Sequence, residues 1–179
     1  NGMRGIMFTE LLDFVEQRVG VAGLEETLTL SGLDGVYTST GNYPHTDAIK
    51  LLITLSEKLN LDIQTLMRQY GNELFPQLVT NYPMFFENNQ NTITFLTGIQ
   101  SHIHDVVKSL YPDTAPPEFE INRQEQTIEV TYRSHRPFAA LAHGMIEACI
   151  KHFGEDLKVE WTVNPAQKDN HAIFVVSPK

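Results

Sequence analysis

Two histidines and an aspartate lie close together in the sequence, at His102, His104 and Asp105. On a β-strand the two imidazoles of an H-x-H pair share one face, as a metal-dependent hydrolase requires. On a helix they lie ~200° apart around the axis, so they cannot share a small ion without a ligand from elsewhere. The surrounding apolar residues recur at helical spacing, which weakens the hydrolase hypothesis.

A single helical histidine beside an apolar space is suited to bind a haem iron. His102 and His104 lie on opposite flanks of the apolar stripe, so periodicity does not choose between them, and a solvent-facing histidine is the alternative for each. Tyr132, Ser134 and Arg136 alternate further along the chain. In a strand or extended turn they share a face, where two hydroxyls and a guanidinium would bind a pair of carboxylates. A polar strand end is the alternative interpretation.

Several other functions are disfavoured by the composition. The chain has 13 Lys and Arg against 22 Asp and Glu, a net charge of −9, which argues against nucleic acid and anionic membranes as partners. No apolar run approaches the ~20 residues of a membrane span. H-E-x-x-H, G-x-S-x-G and phosphate-binding glycine motifs are missing from the sequence. The one cysteine, Cys149, cannot form an internal disulfide, which favours a cytoplasmic location.

The predicted elements form an α+β fold of 179 residues. Helical patterns fill the chain to about Leu110, with a stop at Gly20, a second short helix before Gly32 and a loop at 41–44. Another helix is predicted from Asp62 to Tyr70, with Pro76 near a helix start or a kink. The remaining predictions are strands at 118–122, 127–132, 157–163 and 172–176, and a helix at 137–153. Residues 1–2 resemble an expression scar and are left out of the predicted domain.

Four sequence features resemble the H-NOX family, the haem nitric oxide/oxygen binding domains related to the regulatory domain of soluble guanylate cyclase. Residues 132–136 match the family's Y-x-S-x-R haem-propionate motif, and residues 3–6 (M-R-G-I) resemble its M-K-G-I opening. Residues 70–75 (Y-G-N-E-L-F) resemble a further helical segment. His104 lies before the L-Y-P of residues 110–112 and twelve positions ahead of Pro116, where the family places its proximal histidine. The features occur in family order over nearly the whole chain, and the type resembled is the stand-alone bacterial nitric oxide sensor.

The resemblance implies a single H-NOX domain over residues 3–179 that holds haem b between two subdomains. The distal subdomain, about residues 3–64, would be helical, and the proximal one, about residues 65–179, would contain a four-stranded antiparallel sheet. His104 is implied to be the axial iron ligand and Pro117 the proline that distorts the porphyrin, although a simple linker stop is the alternative for Pro117. The implied propionate ligands are Tyr132, Ser134 and Arg136.

The resemblance also implies which gas binds. Oxygen-binding members stabilise bound oxygen with a distal tyrosine and its helpers, whose positions correspond here to Leu141, Leu74 and Leu11. The other predicted wall residues are Met7, Leu78 and Met145. A hydrogen bond to a partly charged group contributes ~1.5–3 kcal/mol, roughly ten- to a hundred-fold in affinity, so its loss penalises oxygen most. We therefore expect ferrous haem that binds nitric oxide and CO but not oxygen. An oxygen sensor would need a hydroxyl from Tyr37, Tyr43 or Tyr82.

The implied mechanism is a sensor, not an enzyme. Nitric oxide binding would release His104, let the subdomains rotate, and regulate a separate protein, usually a histidine kinase or a diguanylate cyclase in the bacterial members. The cysteine-ligated zinc of some relatives is not expected, because Cys149 is the only cysteine. A metal-dependent hydrolase and a haem-free structural adaptor are the alternatives from other classes.

Overall fold

A computed structural model describes residues 2–87, 90–98, 108–110, 117–162 and 171–179. It confirms the predicted α+β architecture. The helices are α1 (Ile6–Ser31), α2 (His45–Leu59), α3 (Ile63–Asn81), α4 (Thr92–Thr97) and α5 (Ala139–His152), with a 3-10 turn at Pro83–Phe85. The strands are β1 (Gly2–Arg4), β2 (Asn42–Pro44), β3 (Glu118–Gln124), β4 (Thr127–Arg133), β5 (Leu157–Thr162) and β6 (His171–Pro178).

The second part of the chain forms the predicted four-stranded sheet, in the order β3–β4–β6–β5 with every neighbouring pair antiparallel. Alternate residues of the central strand β4 (Ile128, Val130 and Tyr132) are buried, as the side-chain period of two requires. Helix α5 packs against this sheet: the His143 ring lies 5.3 Å from that of Phe174. The chain runs from the end of β4 through a short turn into α5.

Two glycines shape the long helix α1, as the sequence predicts. At Gly20, φ is 76° and ψ is 177°, so the helix is interrupted there and changes direction. Gly32 adopts φ 74° and ends the helix, donating its N–H to the carbonyls of Leu28 and Thr29. Positive φ strains residues that carry a Cβ, and glycine supplies it without that strain. The first part of α1 can therefore pack into the core while residues 21–31 follow another path.

Two local predictions differ from the structure. Residues 41–44 were expected to be a loop, but residues 42–44 form β2, which pairs with β1. Gly2 lies opposite Pro44, and Arg4 lies opposite Asn42. Strands of three residues are too short to show a period of two, so the pattern missed them. The helix that begins after Asp62 continues past Tyr70 to Asn81 and includes Pro76. The burial of Leu74, Phe75 and Leu78 on both sides of this proline provides packing that opposes a break.

Helices α3 and α5 approach closely at two glycines. A Cβ at Gly71 would overlap the carbonyl oxygen of Leu141, and one at Gly144 would overlap that of Arg68. Beside this contact, Arg68 forms a two-point ion pair with Glu147, with nitrogen–oxygen distances of 2.6 and 2.5 Å. The absence of both side chains lets the backbones meet, and this contact joins the helical part of the molecule to the sheet.

Within the described part of the chain, no helix is both long and apolar enough to cross a membrane.

Candidate functional site

The predicted propionate-binding residues lie together where β4 ends. The strand stops at Arg133 and the chain bends over residues 135–137. The Arg136 backbone N–H donates to the Ser134 hydroxyl oxygen at 3.0 Å, and the Tyr132 hydroxyl donates to the Arg136 carbonyl at 3.5 Å. The three residues are therefore brought together by a turn that a serine side chain stabilises. They do not lie along one face of a straight strand.

Burial gives this cluster unusual electrostatics. The Arg136 side chain is among the largest that are fully buried, and Tyr132 is 2% exposed. Burial raises the pKa of Tyr132 to about 12, while the hydrogen bond with Ser134 and the positive charge of Arg136 act in the opposite direction. The phenol is therefore a neutral donor at physiological pH. A buried guanidinium requires nearby oxygen acceptors or an anion to offset its desolvation.

Pro117 is buried and lies at the same end of the sheet. It directly precedes Glu118, which pairs with Arg133 in the first register position of the β3–β4 hairpin. The chain thus enters the sheet at Pro117 beside the point where it leaves the sheet at Ser134. The structure brings this predicted residue next to the predicted propionate-binding residues.

The predicted distal wall belongs to one apolar core drawn from three helices. Met7 and Leu11 come from α1, Leu74 and Leu78 from α3, and Leu141 and Met145 from α5. The first five are 0–4% exposed, and Met145 is partly buried against the same core. On each of α1 and α3 the two residues are four positions apart, so they share a helix face. None of these six side chains carries an N–H or O–H donor.

The tyrosines that an oxygen sensor would need are engaged elsewhere. The Tyr37 hydroxyl bonds Asp47 Oδ2 at 3.2 Å. The Tyr43 hydroxyl accepts the Thr38 N–H at 2.7 Å. Both rings pack on Phe8, with centroid distances of 4.8 and 5.4 Å. The Tyr82 ring packs against Phe85 at 6.0 Å.

Sequence reasoning missed one buried hydroxyl beside the predicted wall. Tyr70 is 3% exposed and lies on α3 one turn before Leu74. Its hydroxyl donates to the carbonyl oxygen of Met7. The signal that could have identified it is the spacing 70, 74, 78, which places a tyrosine on the same face as the two predicted leucines.

His102, His104 and Asp105 lie outside the described residues. The axial ligand and the rival metal-binding triad therefore both rest on the sequence. In the described ranges, no group of three or more His, Cys, Asp and Glu is arranged to hold a metal ion. Cys149 is 1% exposed, and burial raises the pKa of its thiol. A buried, protonated thiol is a poor nucleophile.

The described residues fit a haem group. Haem combines a large apolar surface with two carboxylates on one edge. The chain offers a buried guanidinium with two hydroxyls at the end of β4, and an apolar wall from three helices. The guanidinium and the two hydroxyls match the carboxylates of haem, and none of these three groups is negatively charged. Together with the apolar wall, they define a haem-binding class of protein.

The sequence pattern of the Haem-NO-binding family matches residues 4–161. The chain belongs to this family, and its cofactor is haem b. No curated protein sequence matches the chain.

Solved structures agree with this assignment. The H-NOX protein of K. algicida, in the unliganded Fe(II) state, is 29% identical over 99% of this chain and 97% of that chain, with a TM-score of 0.87. The H-NOX of Shewanella woodyi, in the Fe(II)CO state, is 31% identical over 99% and 95%, with a TM-score of 0.81. An H-NOX protein of S. oneidensis in the Fe(II)NO state has a TM-score of 0.88 over 99% of both chains. At 22% identity, that last match supports the fold alone.

Proposed function

We propose that this H-NOX domain senses nitric oxide: its ferrous haem binds nitric oxide and CO and does not bind oxygen. The supporting observation is the buried apolar wall of Met7, Leu11, Leu74, Leu78 and Leu141, which offers no hydrogen-bond donor. Bound oxygen depends on such a donor far more than nitric oxide or CO does, so an apolar wall discriminates against oxygen. The related S. woodyi and S. oneidensis proteins have structures in their CO and nitric oxide states.

The proposed haem-binding residues of this paragraph all come from the second half of the chain. His104 would hold the haem iron, and Tyr132, Ser134 and Arg136 would bind the propionates. Pro117, buried at the entry to β3, is the residue that presses on the porphyrin. The haem iron supplies the gas-binding position. The residues of the chain hold the group, exclude water from it and set the polarity around the gas.

Signalling in this proposal depends on the His104 imidazole. This imidazole would leave the iron when nitric oxide binds, and the distal subdomain, about residues 3–64, would then be free to rotate relative to the proximal one. The proposed boundary falls in the first turn of α3, so the α3–α5 contact lies within the proximal subdomain. The partner is a separate signalling protein, a histidine kinase or a diguanylate cyclase, and the domain itself catalyses no reaction.

Absorption spectroscopy of the reduced protein tests the gas specificity. We expect haem bands that shift when nitric oxide or CO is added and remain those of the unliganded ferrous protein in air-saturated buffer at early times. With nitric oxide, the spectrum should be that of a five-coordinate species, because His104 is released. A stable oxygen spectrum, or a persistent six-coordinate nitric oxide spectrum at room temperature, contradicts the proposal.

Matched histidine variants test the axial ligand. His104→Gly should lose haem, and added imidazole should restore it, because free imidazole can occupy the vacated position. His102→Gly, two residues away, should retain haem and the native spectrum. Haem loss in His102→Gly instead would assign the ligand to the other histidine, and zinc without haem in the purified protein would favour the hydrolase.

A further inference from the structure

Tyr70 occupies a position between the two helices that carry most of the proposed distal wall. It precedes Leu74 and Leu78 by one and two turns on α3, so the three side chains form one stripe. Its ring lies 5.1 Å from that of Phe14 on α1, and its hydroxyl donates to the carbonyl oxygen of Met7, also on α1. Tyr70 therefore spans the gap between α1 and α3.

The hydrogen bond determines what this phenol can do. A tyrosine hydroxyl has a single proton, and a backbone carbonyl only accepts. While the proton is directed to Met7, Tyr70 has none to offer to a gas molecule. Among Tyr70 and the six proposed wall residues, Tyr70 alone has a side-chain hydroxyl. The bond therefore keeps this stripe free of an available donor, although the stripe contains a tyrosine.

The same bond positions the wall. The Met7 carbonyl lies in the first turn of α1, next to the backbone that carries the side chains of Met7 and Leu11. Farther along α1, Arg18 pairs with Glu73 at 2.9 Å, and both side chains are partly exposed. Tyr70 is 3% exposed, so it links the same two helices from inside the core, where water does not compete for the bond.

We propose that Tyr70 positions the distal wall of this domain: its hydroxyl is bonded to the Met7 carbonyl, which withholds the proton from the bound gas and holds α1 against α3. The inference rests on the proposed function, because it concerns the same haem pocket. It adds a positioning residue to that pocket.

Tyr70→Phe removes the hydroxyl and keeps the ring. Tyr37→Phe is the matched control, because it removes the same atom from a tyrosine that packs on α1 at Phe8 but bonds the Asp47 carboxylate. In the ferrous CO complex, we expect Tyr70→Phe to broaden or split the C–O stretching band. The CO association rate should change by roughly two- to tenfold, the factor of one net hydrogen bond. Tyr37→Phe should match the parent protein in both measurements, and neither variant should bind oxygen.

Amide hydrogen exchange in the absence of haem provides a readout independent of the gas. Tyr70→Phe should speed exchange of the first two turns of α1 by roughly two- to tenfold over Tyr37→Phe, because the bond to α1 is lost. Equal exchange and identical CO bands in the two variants would overturn the inference and leave the nitric oxide sensor intact. If the parent protein binds oxygen and Tyr70→Phe abolishes that binding, Tyr70 donates to the gas and both proposals fail. Absence of haem overturns the proposed function alone, since the exchange comparison still decides on Tyr70.

Discussion

The buried Arg136 guanidinium imposes the most specific chemical requirement in the described part of the site. Removing a guanidinium from water requires compensation by oxygen atoms arranged around its planar fork. In the proposed site, the carboxylates of the haem would meet this requirement. The position of Arg136 also follows from local structure, since its backbone N–H is held by Ser134 at 3.0 Å. In the proposed site, Arg136 would therefore link the turn after β4 to haem retention.

Arg136→Lys tests this link, because lysine keeps the positive charge but loses the two-point fork. Losing one charge-assisted hydrogen bond removes ~1.5–3 kcal/mol, so haem dissociation should be faster by roughly ten- to a hundred-fold. Haem transfer to apomyoglobin measures this rate. Arg133→Lys is the control: Arg133 is three residues earlier, half exposed and pairs weakly with Glu120 at 3.4 Å, and its substitution should leave the rate unchanged. Equal rates for the two variants would show that Arg136 does not hold the propionates.

Prediction of individual residues from the sequence depended on how regular their spacing was. The alternation of Tyr132, Ser134 and Arg136 predicted three side chains on one face, with a polar strand end as the alternative. In the structure, a turn stabilised by the Ser134 hydroxyl gathers them. Tyr70 was overlooked because a single tyrosine in an apolar helix has the same pattern as a core residue. Its partner is a backbone carbonyl of another helix, and no side-chain pattern encodes such a long-range contact.

Among the secondary-structure elements, the α3–α5 contact depends most directly on residue size. Gly71 and Gly144 have no side chain, so the backbones of the two helices approach closely at these positions. Beside this contact, the side chains of Arg68 and Asn72 bond to Glu147. The Glu147 carboxylate accepts from both Arg68 and Asn72, the latter at 3.2 Å. The edge contacts are partly exposed and contribute little individually, so the glycine contact supplies the complementarity.

Gly144→Ala should destabilise the protein even though alanine is the better helix former. Its Cβ would overlap the Arg68 carbonyl, and backbone atoms cannot move aside as a flexible side chain can. Overpacking costs about 1–3 kcal/mol, which exceeds the gain of up to about 1 kcal/mol in helix propensity. Urea unfolding measures the difference. Lys151→Ala, an exposed substitution on the same helix, should change stability by no more than about 0.5 kcal/mol. Higher stability in Gly144→Ala would mean that the two helices can separate without loss.

The elements themselves were predictable where an apolar period or a strong local signal was present. Gly20 and Gly32 marked the interruption and the end of α1, and the Asp62 side chain caps α3 by accepting the Thr65 N–H at 3.3 Å. The β1–β2 pair was missed because its strands are three residues long and its partners are about 40 positions apart in sequence. The extent of α3 was underestimated because tertiary packing outweighed the local effect of Pro76.

At the scale of the whole molecule, a histidine connects the α3–α5 pair to the sheet. His143 is 7% exposed, and its ring lies 5.3 Å from Phe174 and 6.2 Å from Trp161. Burial lowers the pKa of His143, as does the nearby Arg68 charge, while Glu147 and the Val159 backbone act in the opposite direction. The pKa of Glu147 is also lowered: its bonds to Arg68 and Asn72 outweigh the opposing effect of its burial.

These shifts predict how global stability depends on pH. The unfolded chain protonates His143 near its ordinary pKa of about 6.5, but the folded protein does so only at lower pH. As the pH falls below about 6.5 the unfolded state binds more protons, so the free energy of unfolding falls, by at most about 1.4 kcal/mol per pH unit for this group. Glu147 changes stability in the same direction, but only below about pH 4.5, since its ordinary pKa is lower.

Denaturant unfolding of the holoprotein between pH 5 and pH 7, at constant ionic strength, isolates the histidine contribution. His143→Phe should reduce the decline of stability with falling pH over this range, because phenylalanine packs on the same rings and does not titrate. His135→Phe, at an exposed position, should keep the decline of the parent protein. A decline that persists unchanged in His143→Phe would assign it to other groups and remove His143 as the origin of the pH dependence.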